Sequence, residues 1–568
     1  MLRPILLISL VGVISLVGPT VPVPASNLSF SSSLDLSKNP LSCPATCSSL
    51  PRIATVNSRV YVTWLNNTSE NSNLLFTSSN NNGSSFGPII KITNSTTGNA
   101  DDQQISAVGS NVYIVWQQNV SLSSSNIFFR ASTSNGTSFG PIINVSAGIS
   151  GLSSSSVPDI AAAGNNVYVL WLATTTKSVN EILFKASATN GSNLATAPAL
   201  TLSTNAYGSA ITCTQVTCDA IPHVSSSGTS VYAAWSDLSP GRPQTFFASS
   251  TNSGTSFGTS HSLSSTPTGE NDVYQEIAST GTSVYVTWTN DTINSDNTMF
   301  AGSINSGGSF GAALNLNKAV VTDLNPELAA SGTNVYVVWS DASGGNTEVL
   351  YRSSNNNGVS FGGALNLSNV AGTSNQQMIA TSSTNVYVTW LESGPSNNGV
   401  YFVSSSDSGS TFGTPLNLSN DSVSNDPLVA GSGGYAYVVW EDDTTGNGDI
   451  YFNRGSPFSP PTVVSESVGV IENQSQVITL TGNDPAGLSL TFSIVTGPSH
   501  GTLGAVSSTG PNSAEVTYTP NSNYTGPDNF SYKATSGSQT SSPATVSITI
   551  FAPFVAWSGG GGRHPVEM

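Results

Sequence analysis

The chain has 568 residues, of which only 8% are charged, and its 31 Asp and Glu outnumber its 14 Lys and Arg by 17. A chain this acidic repels the phosphates of nucleic acids and anionic lipids, which argues against both as partners. Because 37% of the residues are apolar and nine are Trp, the chain can bury a large core, and a disordered protein is excluded as well.

The first segment predicts export. Met1 and Arg3 precede an uncharged apolar run that ends near Gly18, and the small residues just before Ser26 suit a cleavage site. The run is too short to span a bilayer, so we predict a signal peptide over residues 1–25, with a signal anchor as the alternative. The expected location is extracellular, secreted or attached to the cell envelope, with no membrane insertion after cleavage.

Four cysteines occur as two close pairs, separated by long cysteine-free stretches. In an exported protein such pairs predict two local disulfides, Cys43–Cys47 and Cys213–Cys218. Neither pair has enough neighbouring His or Cys to predict a zinc site.

A tryptophan repeat determines the predicted fold. The pattern V-Y-x-x-W, or a close variant, ends at Trp64, Trp116, Trp171, Trp235, Trp288, Trp339, Trp390 and Trp440. An aliphatic residue stands eleven positions before each of these Trp residues, which fits a short hairpin of constant length between two strands. A third segment with an aromatic at a fixed place and a fourth of the form F-G-x-x-L-N-L-S complete the unit. Four strands per unit at this period predict an all-β chain with a β-propeller.

The last unit lacks its fourth strand, because the chain turns into a Pro-rich segment soon after Phe452. Residues 30–37, which precede the first unit, match the fourth-strand pattern instead. We therefore predict that an N-terminal strand completes the last blade and leaves no open sheet edge. This arrangement gives eight blades within residues 26–455, and seven blades with one irregular unit is the alternative.

The turn before the fourth strand carries a family resemblance. Residues 405–412, S-S-D-S-G-S-T-F, resemble the Asp-box (S-x-D-x-G-x-T-W/F), the hairpin signature of sialidase-like (BNR) propellers. Degenerate copies begin at Ser79, Ser132, Ser187, Ser250, Ser303 and Ser354. In that family the boxes are structural and lie on the face opposite the active site, so the resemblance implies the fold more firmly than an activity.

The pattern changes after a Pro-rich linker at residues 456–461. Residues 462–551 lack the tryptophan repeat and contain T-L-T-G-N-D-P and Y-T-P segments, which look like a bacterial Ig-like or cadherin-like module. The resemblance implies a β-sandwich that acts as a spacer or an attachment domain. A Gly-rich tail over residues 552–568 follows.

Nearly all acidic residues of the propeller region fall in segments that we expect to share one face, either just after a Trp or just before the first strand of a unit. An acidic face attracts cations, and calcium, which prefers several oxygen ligands, is the cofactor we expect there. The candidate metal ligands are Asp237, Asp341 and Asp442. The alternative is a solvated acidic rim that keeps the protein soluble.

One position of the repeat predicts a ligand site. Twelve residues before the Trp, at the expected mouth of the channel, stand Arg52, Gln104, Asp159, His223, Glu276, Glu327, Met378 and Leu428. Six polar groups followed by two apolar ones would make an asymmetric pocket for a sugar or a metal. The alternative is a solvent-exposed position that varies freely.

Sialidase chemistry, which the resemblance implies, requires three arginines, a Tyr paired with a Glu, and an Asp. Tyr274 and Glu276 could supply the pair, but only Arg52 and Arg242 fall on the expected face. We therefore predict recognition or adhesion, directed at glycans or cell-envelope proteins. The alternative is an exo-glycosidase, either of the sialidase type or one that uses Glu276 and Glu327.

Overall fold

The structure, a computed structural model, describes residues 28–38, 48–67, 71–94, 98–121, 123–206, 222–238, 241–264, 271–291, 296–317, 324–369, 372–394, 398–419, 421, 423–444, 446, 448–456, 460–484, 489–536 and 539–553. The predicted signal peptide, both predicted disulfides and most of the Gly-rich tail lie outside these residues. The described elements are all β-strands, and they divide into a repeat unit and a C-terminal unit. In this part of the chain no helix is long and apolar enough to span a bilayer.

The repeat region forms eight antiparallel sheets, which are the blades of a β-propeller. The inner strands of blades 1 to 8 are Ser48–Val56, Ala100–Val108, Leu152–Ala163, His223–Ser227, Asn271–Thr280, Leu324–Ser331, Thr373–Ser382 and Ser424–Ser432. The second strands are Arg59–Asn67, Asn111–Ser121, Asn166–Thr175, Ser230–Asp237, Ser283–Asp291, Asn334–Asp341, Asn385–Ser393 and Tyr435–Asp442. Inner strands of consecutive blades lie side by side, and that of blade 8 contacts that of blade 1, which closes the ring.

The outer half of each blade consists of a third strand and a short outer strand. The third strands are Ser72–Ser79, Ser124–Ser132, Asn180–Ser187, Gln244–Ser250, Asp296–Ser303, Glu348–Ser354, Gly399–Ser405 and Asp449–Ser456. The outer strands of blades 1 to 7 are Ile90–Lys91, Ile143–Asn144, Leu200–Ser203, His261–Ser262, Leu314–Asn315, Leu365–Asn366 and Leu416–Asn417. In blade 8 the N-terminal strands Ser29–Phe30 and Leu34–Asp35 pair with the third strand. The N-terminal segment therefore completes blade 8, as the sequence predicts.

The second strands are buried on both faces, because each blade is covered by a neighbour on either side. All eight repeat Trp residues are at most 1% exposed. Each packs into the joint with the preceding blade, as Trp116 packs with Tyr61 and Phe76 of blade 1. The tryptophan therefore recurs once per unit because each blade needs one buried Trp where it packs against the preceding blade.

The turns that resemble the Asp-box share one geometry in blades 1 to 7. The first Ser of each accepts a hydrogen bond from the N–H of a Gly four residues later, as Ser79 does from Gly83 at 3.0 Å. These Gly residues have positive φ and lie against the third-strand aromatic of the preceding blade. A Cβ added to Gly83 would lie 2.5 Å from the Phe452 ring, so both the conformation and the contact require Gly here.

The C-terminal unit is a β-sandwich. One sheet contains Thr462–Val463, Gln476–Asn483, Ser513–Pro520, Gly501–Leu503 and Ser507–Gly510. The other contains Glu466–Ile471, Ala544–Phe551, Gly526–Ser536, Thr491–Thr496 and Gln539–Thr540. Alternate residues of the long strands, such as Val516 with Tyr518 and Phe530 with Tyr532, form the core. The predicted Ig-like sandwich is confirmed.

Candidate functional site

The candidate site is a cavity of about 410 Å³ at one end of the inner strands. We call it the mouth cavity. All eight residues that stand twelve positions before a repeat Trp line it: Arg52, Gln104, Asp159, His223, Glu276, Glu327, Met378 and Leu428. We call these residues the first tier. The register of the tryptophan repeat therefore places one residue of every blade at a common cavity.

A β-bulge precedes the first-tier residue in seven of the eight inner strands. The strand pairing shifts by one residue just before Arg52, and likewise in blades 2, 3, 5, 6, 7 and 8. The residue two positions before the first tier has positive φ in each case: Leu50, Asp102, Val157, Tyr274, Asn325, Gln376 and Asp426. In blade 4 this position lies outside the described residues. An extra residue at a bulge bends the strand and redirects side chains.

The bulge adds a second tier to the cavity. Six of the seven positive-φ residues line it, and Leu50 is the exception. The second tier contributes the carboxylates of Asp102 and Asp426, the ring of Tyr274 and the carboxamide of Asn325. Of these residues, only Tyr274 was a site candidate from the sequence.

A Pro or Gln stands between the two tiers in every blade, and two of these Gln residues bond to the bulge of the preceding blade. The carboxamide N–H of Gln103 donates to the carbonyl of Leu50 in blade 1, and that of Gln377 donates to the carbonyl of Asn325 in blade 6. Both Gln side chains are buried. Neighbouring bulges are thus tied across the joint between blades. This Pro-or-Gln position is the sequence signal from which the second tier could have been found.

The imidazole of His223 lies between two carboxylates from neighbouring blades. Its Nδ1 is 3.7 Å from Asp159 Oδ2, and its Nε2 is 3.5 Å from Glu276 Oε1. The side chains of His223, Asp159 and Glu276 are 19%, 16% and 28% exposed, so solvent reaches all three. The two carboxylates lie near opposite nitrogens of the ring, so His223 can bridge them but the three groups do not converge on one point.

Arg52 is the arginine of the first tier and sits among carboxylates. Its Nη1 donates to the carbonyl of Pro51 at 2.8 Å. Burial lowers the pKa of Arg52, while Asp426, Asp102, Asp159 and Glu327 oppose this change. Arginine stays protonated in proteins, so the cavity holds one permanent positive charge.

Burial raises the pKa of every carboxyl group in the cavity. For Asp102 the pKa reaches about 7, because Asp101 adds repulsion and Arg52 offsets only part of both effects. For Glu327 burial and the negative charge of Glu276 raise the pKa well above its ordinary value. The pKa values of Asp159, Glu276 and Asp426 are raised by burial as well. Asp102 is therefore positioned to exchange a proton near neutral pH.

The three metal candidates do not come together. Asp237, Asp341 and Asp442 end the second strands of blades 4, 6 and 8, and each is buried. Asp237 accepts a hydrogen bond from the indole N–H of Trp235 at 3.0 Å, and the other two accept N–H groups of their own loops. Asp237 also accepts a hydrogen bond from the hydroxyl of Ser203 in blade 3. The three carboxylates therefore contact groups within and between blades, and they are not part of an exposed acidic rim.

No group of three or more His, Cys, Asp and Glu side chains is placed to hold a metal ion in the described part of the chain. The mouth cavity fits a sialidase site equally poorly. Tyr274 and Glu276 both line it, but Arg52 is the one arginine that does so among the described residues. The arginine cluster that the resemblance requires is therefore not assembled here.

Comparison with known proteins supports the C-terminal assignment. The family described as a bacterial Ig domain (Big_9) matches residues 458–549. No curated protein matches the chain in sequence.

Solved structures similar to the chain include sialidases and a polysaccharide lyase. Polysaccharide lyase Uly1 has 10% identity and a TM-score of 0.41, with coverage of 62% of this chain and 89% of the lyase. The endosialidase of phage phi92 has 10% identity and a TM-score of 0.36, with coverage of 76% and 70%. The sialidase of Trypanosoma rangeli has 10% identity and a TM-score of 0.34, with coverage of 81% and 85%. These scores are too low to carry an argument about activity.

Proposed function

We propose that the protein is an exported recognition protein that binds a carbohydrate at the mouth cavity of its propeller. The observation that carries the proposal is the convergence of one residue from each of the eight blades on a cavity of about 410 Å³. This volume lies within the range of small-ligand sites. Export follows from the signal peptide predicted over residues 1–25.

The chemistry of the lining favours a sugar over an apolar ligand. Carboxylates, carboxamides, a guanidinium and an imidazole can each hydrogen-bond to hydroxyl groups, and Gln104, Asn325 and His223 are examples. The ring of Tyr274 adds an apolar surface with a polar tip. A ligand with hydroxyl groups around an apolar ring matches this mixture. The Ig-like unit would then act as a spacer or an attachment domain.

The proposal is tested by screening the full chain on an array of immobilised glycans and measuring the best binder by calorimetry. Gln104→Ala removes a hydrogen-bonding group from the cavity and Glu276→Gln replaces a carboxylate acceptor by a neutral amide, so each should weaken binding by about tenfold. Asp291→Asn is the matched control, because Asp291 is an exposed carboxylate outside the lining. Equal affinities for all four proteins, or no glycan binding at millimolar concentration, would contradict the proposal.

A glycoside hydrolase is the second candidate, because Glu276 and Glu327 line one cavity and both have raised pKa values. A carboxyl group that stays protonated near neutral pH can act as a general acid beside an ionised partner. Fluorogenic glycosides, including sialosides, test this activity. Turnover that Glu327→Gln abolishes would establish the hydrolase and replace the binding-only function.

A further inference from the structure

The polar groups of the mouth cavity are dominated by hydrogen-bond acceptors. Five carboxyl groups line it: Asp102, Asp159, Glu276, Glu327 and Asp426. Among the described residues of the lining, Arg52 and His223 are the two that can carry a positive charge. Ionised carboxylates only accept hydrogen bonds, and a bound cation favours this ionised form, so the lining suits a ligand that brings positively charged donors.

The two cationic side chains leave part of this wall uncompensated. His223 is engaged with Asp159 and Glu276. Within the described residues, the side chains of Asp102, Glu327 and Asp426 have neither an ion pair nor a hydrogen bond from a donor. The side-chain oxygen of Asn325, which also lines the cavity, is buried without a hydrogen-bond partner. A ligand that enters the cavity displaces the water around these unpaired acceptors. It must therefore donate hydrogen bonds to them, or their lost hydration weakens binding.

We propose that the carbohydrate bound at the mouth cavity carries protonated primary amines, as in a glycan of unacetylated glucosamine residues. This inference rests on the proposed function and specifies its ligand. Each ammonium group brings three donors and a positive charge to a lining in which five carboxyl groups face one arginine and one histidine. A sugar carboxylate would instead face five carboxyl groups, with a single arginine to compensate its charge.

The lining of the mouth cavity suits an amino sugar better than a metal ion or a lysine side chain. Calcium requires several oxygens converging at short distance, and the described residues place no such group of carboxylates together. A lysine has donors only at its tip, and its methylene stem would lie against the remaining acceptors. The acceptors occupy two tiers and come from blades 2, 3, 5, 6 and 8. An amino sugar has donors spread around its ring and fits this distribution.

Calorimetry on the full chain tests the inference with three β-1,4-linked oligosaccharides of equal length, made of glucosamine, N-acetylglucosamine or glucose. The glucosamine oligomer should bind at least about tenfold more tightly than the other two, because acetylation and replacement both remove the charge. Its affinity should also fall as salt is added.

Two substitutions with opposite expected effects on affinity distinguish a change in charge from general damage to the fold. Glu327→Gln should weaken binding of the glucosamine oligomer about tenfold, whereas Arg52→Gln should strengthen it, because it removes the charge that repels the ligand. Asp291→Asn should leave the affinity unchanged. A lower affinity in both cavity variants would indicate general damage to the cavity and overturn the inference.

The remaining outcomes separate this inference from the proposed function. If the N-acetylated or glucose oligomer binds equally well, or a glucuronic acid oligomer binds more tightly, the amine requirement is wrong and glycan binding stands. If a lysine-rich peptide outcompetes the glucosamine oligomer, the ligand is a peptide and the inference is overturned. If no oligosaccharide of any charge binds, the proposed function fails as well.

Discussion

The carboxylate of Asp159 in blade 3 accepts a hydrogen bond of 2.8 Å from the backbone N–H of Val224 in blade 4. Its other oxygen accepts from the N–H of Ile160, also at 2.8 Å. One side chain of the mouth cavity therefore joins two blades as well as facing the ligand site.

Asp159→Asn should destabilise the propeller. The carboxamide keeps the size of the side chain but must turn an NH₂ group toward one of the two backbone donors. The loss should be about 1–3 kcal/mol in the free energy of unfolding, measured by urea denaturation. Asp291→Asn, at an exposed carboxylate, provides the control. An unchanged urea midpoint for Asp159→Asn would show that the link between the blades does not stabilise the ring.

Asp102→Asn should raise the melting temperature at alkaline pH only. Because burial and Asp101 raise the pKa of Asp102 from 3.8 to about 7, the folded chain holds this proton more readily than the unfolded chain. The stability that protonation provides is complete below about pH 4 and is lost as the pH rises through 7.

The Asn variant cannot ionise, so its advantage should be about 1–3 °C at pH 8 and should vanish at pH 4. Differential scanning calorimetry across this range measures the effect. The Asn variant should still lose some stability as the pH rises toward 7, because burial and the negative charge of Asp426 also raise the pKa of Glu441 to about 7. An advantage of the variant that is equal at both pH values would contradict the assignment to Asp102 ionisation.

Lys185→Met should be strongly destabilising. The ammonium of this buried lysine donates to the carbonyl oxygens of Val145 at 2.8 Å and Leu194 at 3.0 Å. Methionine fills the space but leaves these acceptors unpaired in the joint of blades 2 and 3. We expect a loss of about 2–4 kcal/mol in chemical denaturation. The exposed Lys177→Met is the matched control, and a comparable loss there would mean that the buried contacts are not responsible.

Asp407→Asn should be nearly neutral, whereas Asp407→Ala should lower the melting temperature. The carboxylate accepts hydrogen bonds from the N–H of Thr411 at 2.9 Å and the hydroxyl of Ser405 at 2.7 Å. Asn81 makes the equivalent contacts in blade 1, so an amide suffices at this position. Thermal denaturation at neutral pH compares the two variants. Equal melting temperatures for Asn and Ala would show that the side-chain acceptor does not stabilise the turn.

Acid provides a second test of the same turn. Partial burial alone would raise the pKa of Asp407, but hydrogen bonds from Thr411, Ser405 and Ser410 outweigh burial and lower it. The stability from these bonds is therefore present at neutral pH and is lost as the pH falls through the lowered pKa. The Asn variant should lose this part of the acid sensitivity.

The propeller could be predicted because every blade needs a large buried side chain, the repeat Trp, where it packs against its neighbour. A buried Trp at one register fixes the hairpin before it, and the position twelve residues earlier is thereby fixed at the cavity. Closure was predictable for the same reason, because Phe30 contacts Phe402 edge-on at 4.7 Å, much as Phe139 contacts Phe76 at 4.9 Å.

The residue types of the second tier do not themselves predict it, and only the Pro or Gln that follows each of these residues repeats. Left-handed backbone favours Gly, Asn and Asp, yet Leu50, Val157 and Tyr274 also adopt it here. The bulge therefore depends on pairing between strands and on contacts across the joint, such as that of Gln103 with Leu50. The burial of the three metal candidates could not be predicted for a related reason. Whether an Asp after the Trp faces solvent or the indole depends on packing that the repeat does not encode.

Completion of blade 8 by the N-terminal strand constrains the order in which the chain can fold. Ser29 pairs with Ser456, 427 positions later, so the first strand to be synthesised has no partner until the last blade exists. Blades 1 to 7 can form as local hairpins during synthesis, but the ring closes only afterwards, in one step of high contact order. A ribosome-bound chain that ends before residue 449 should therefore carry an N-terminal strand that still lacks its partner.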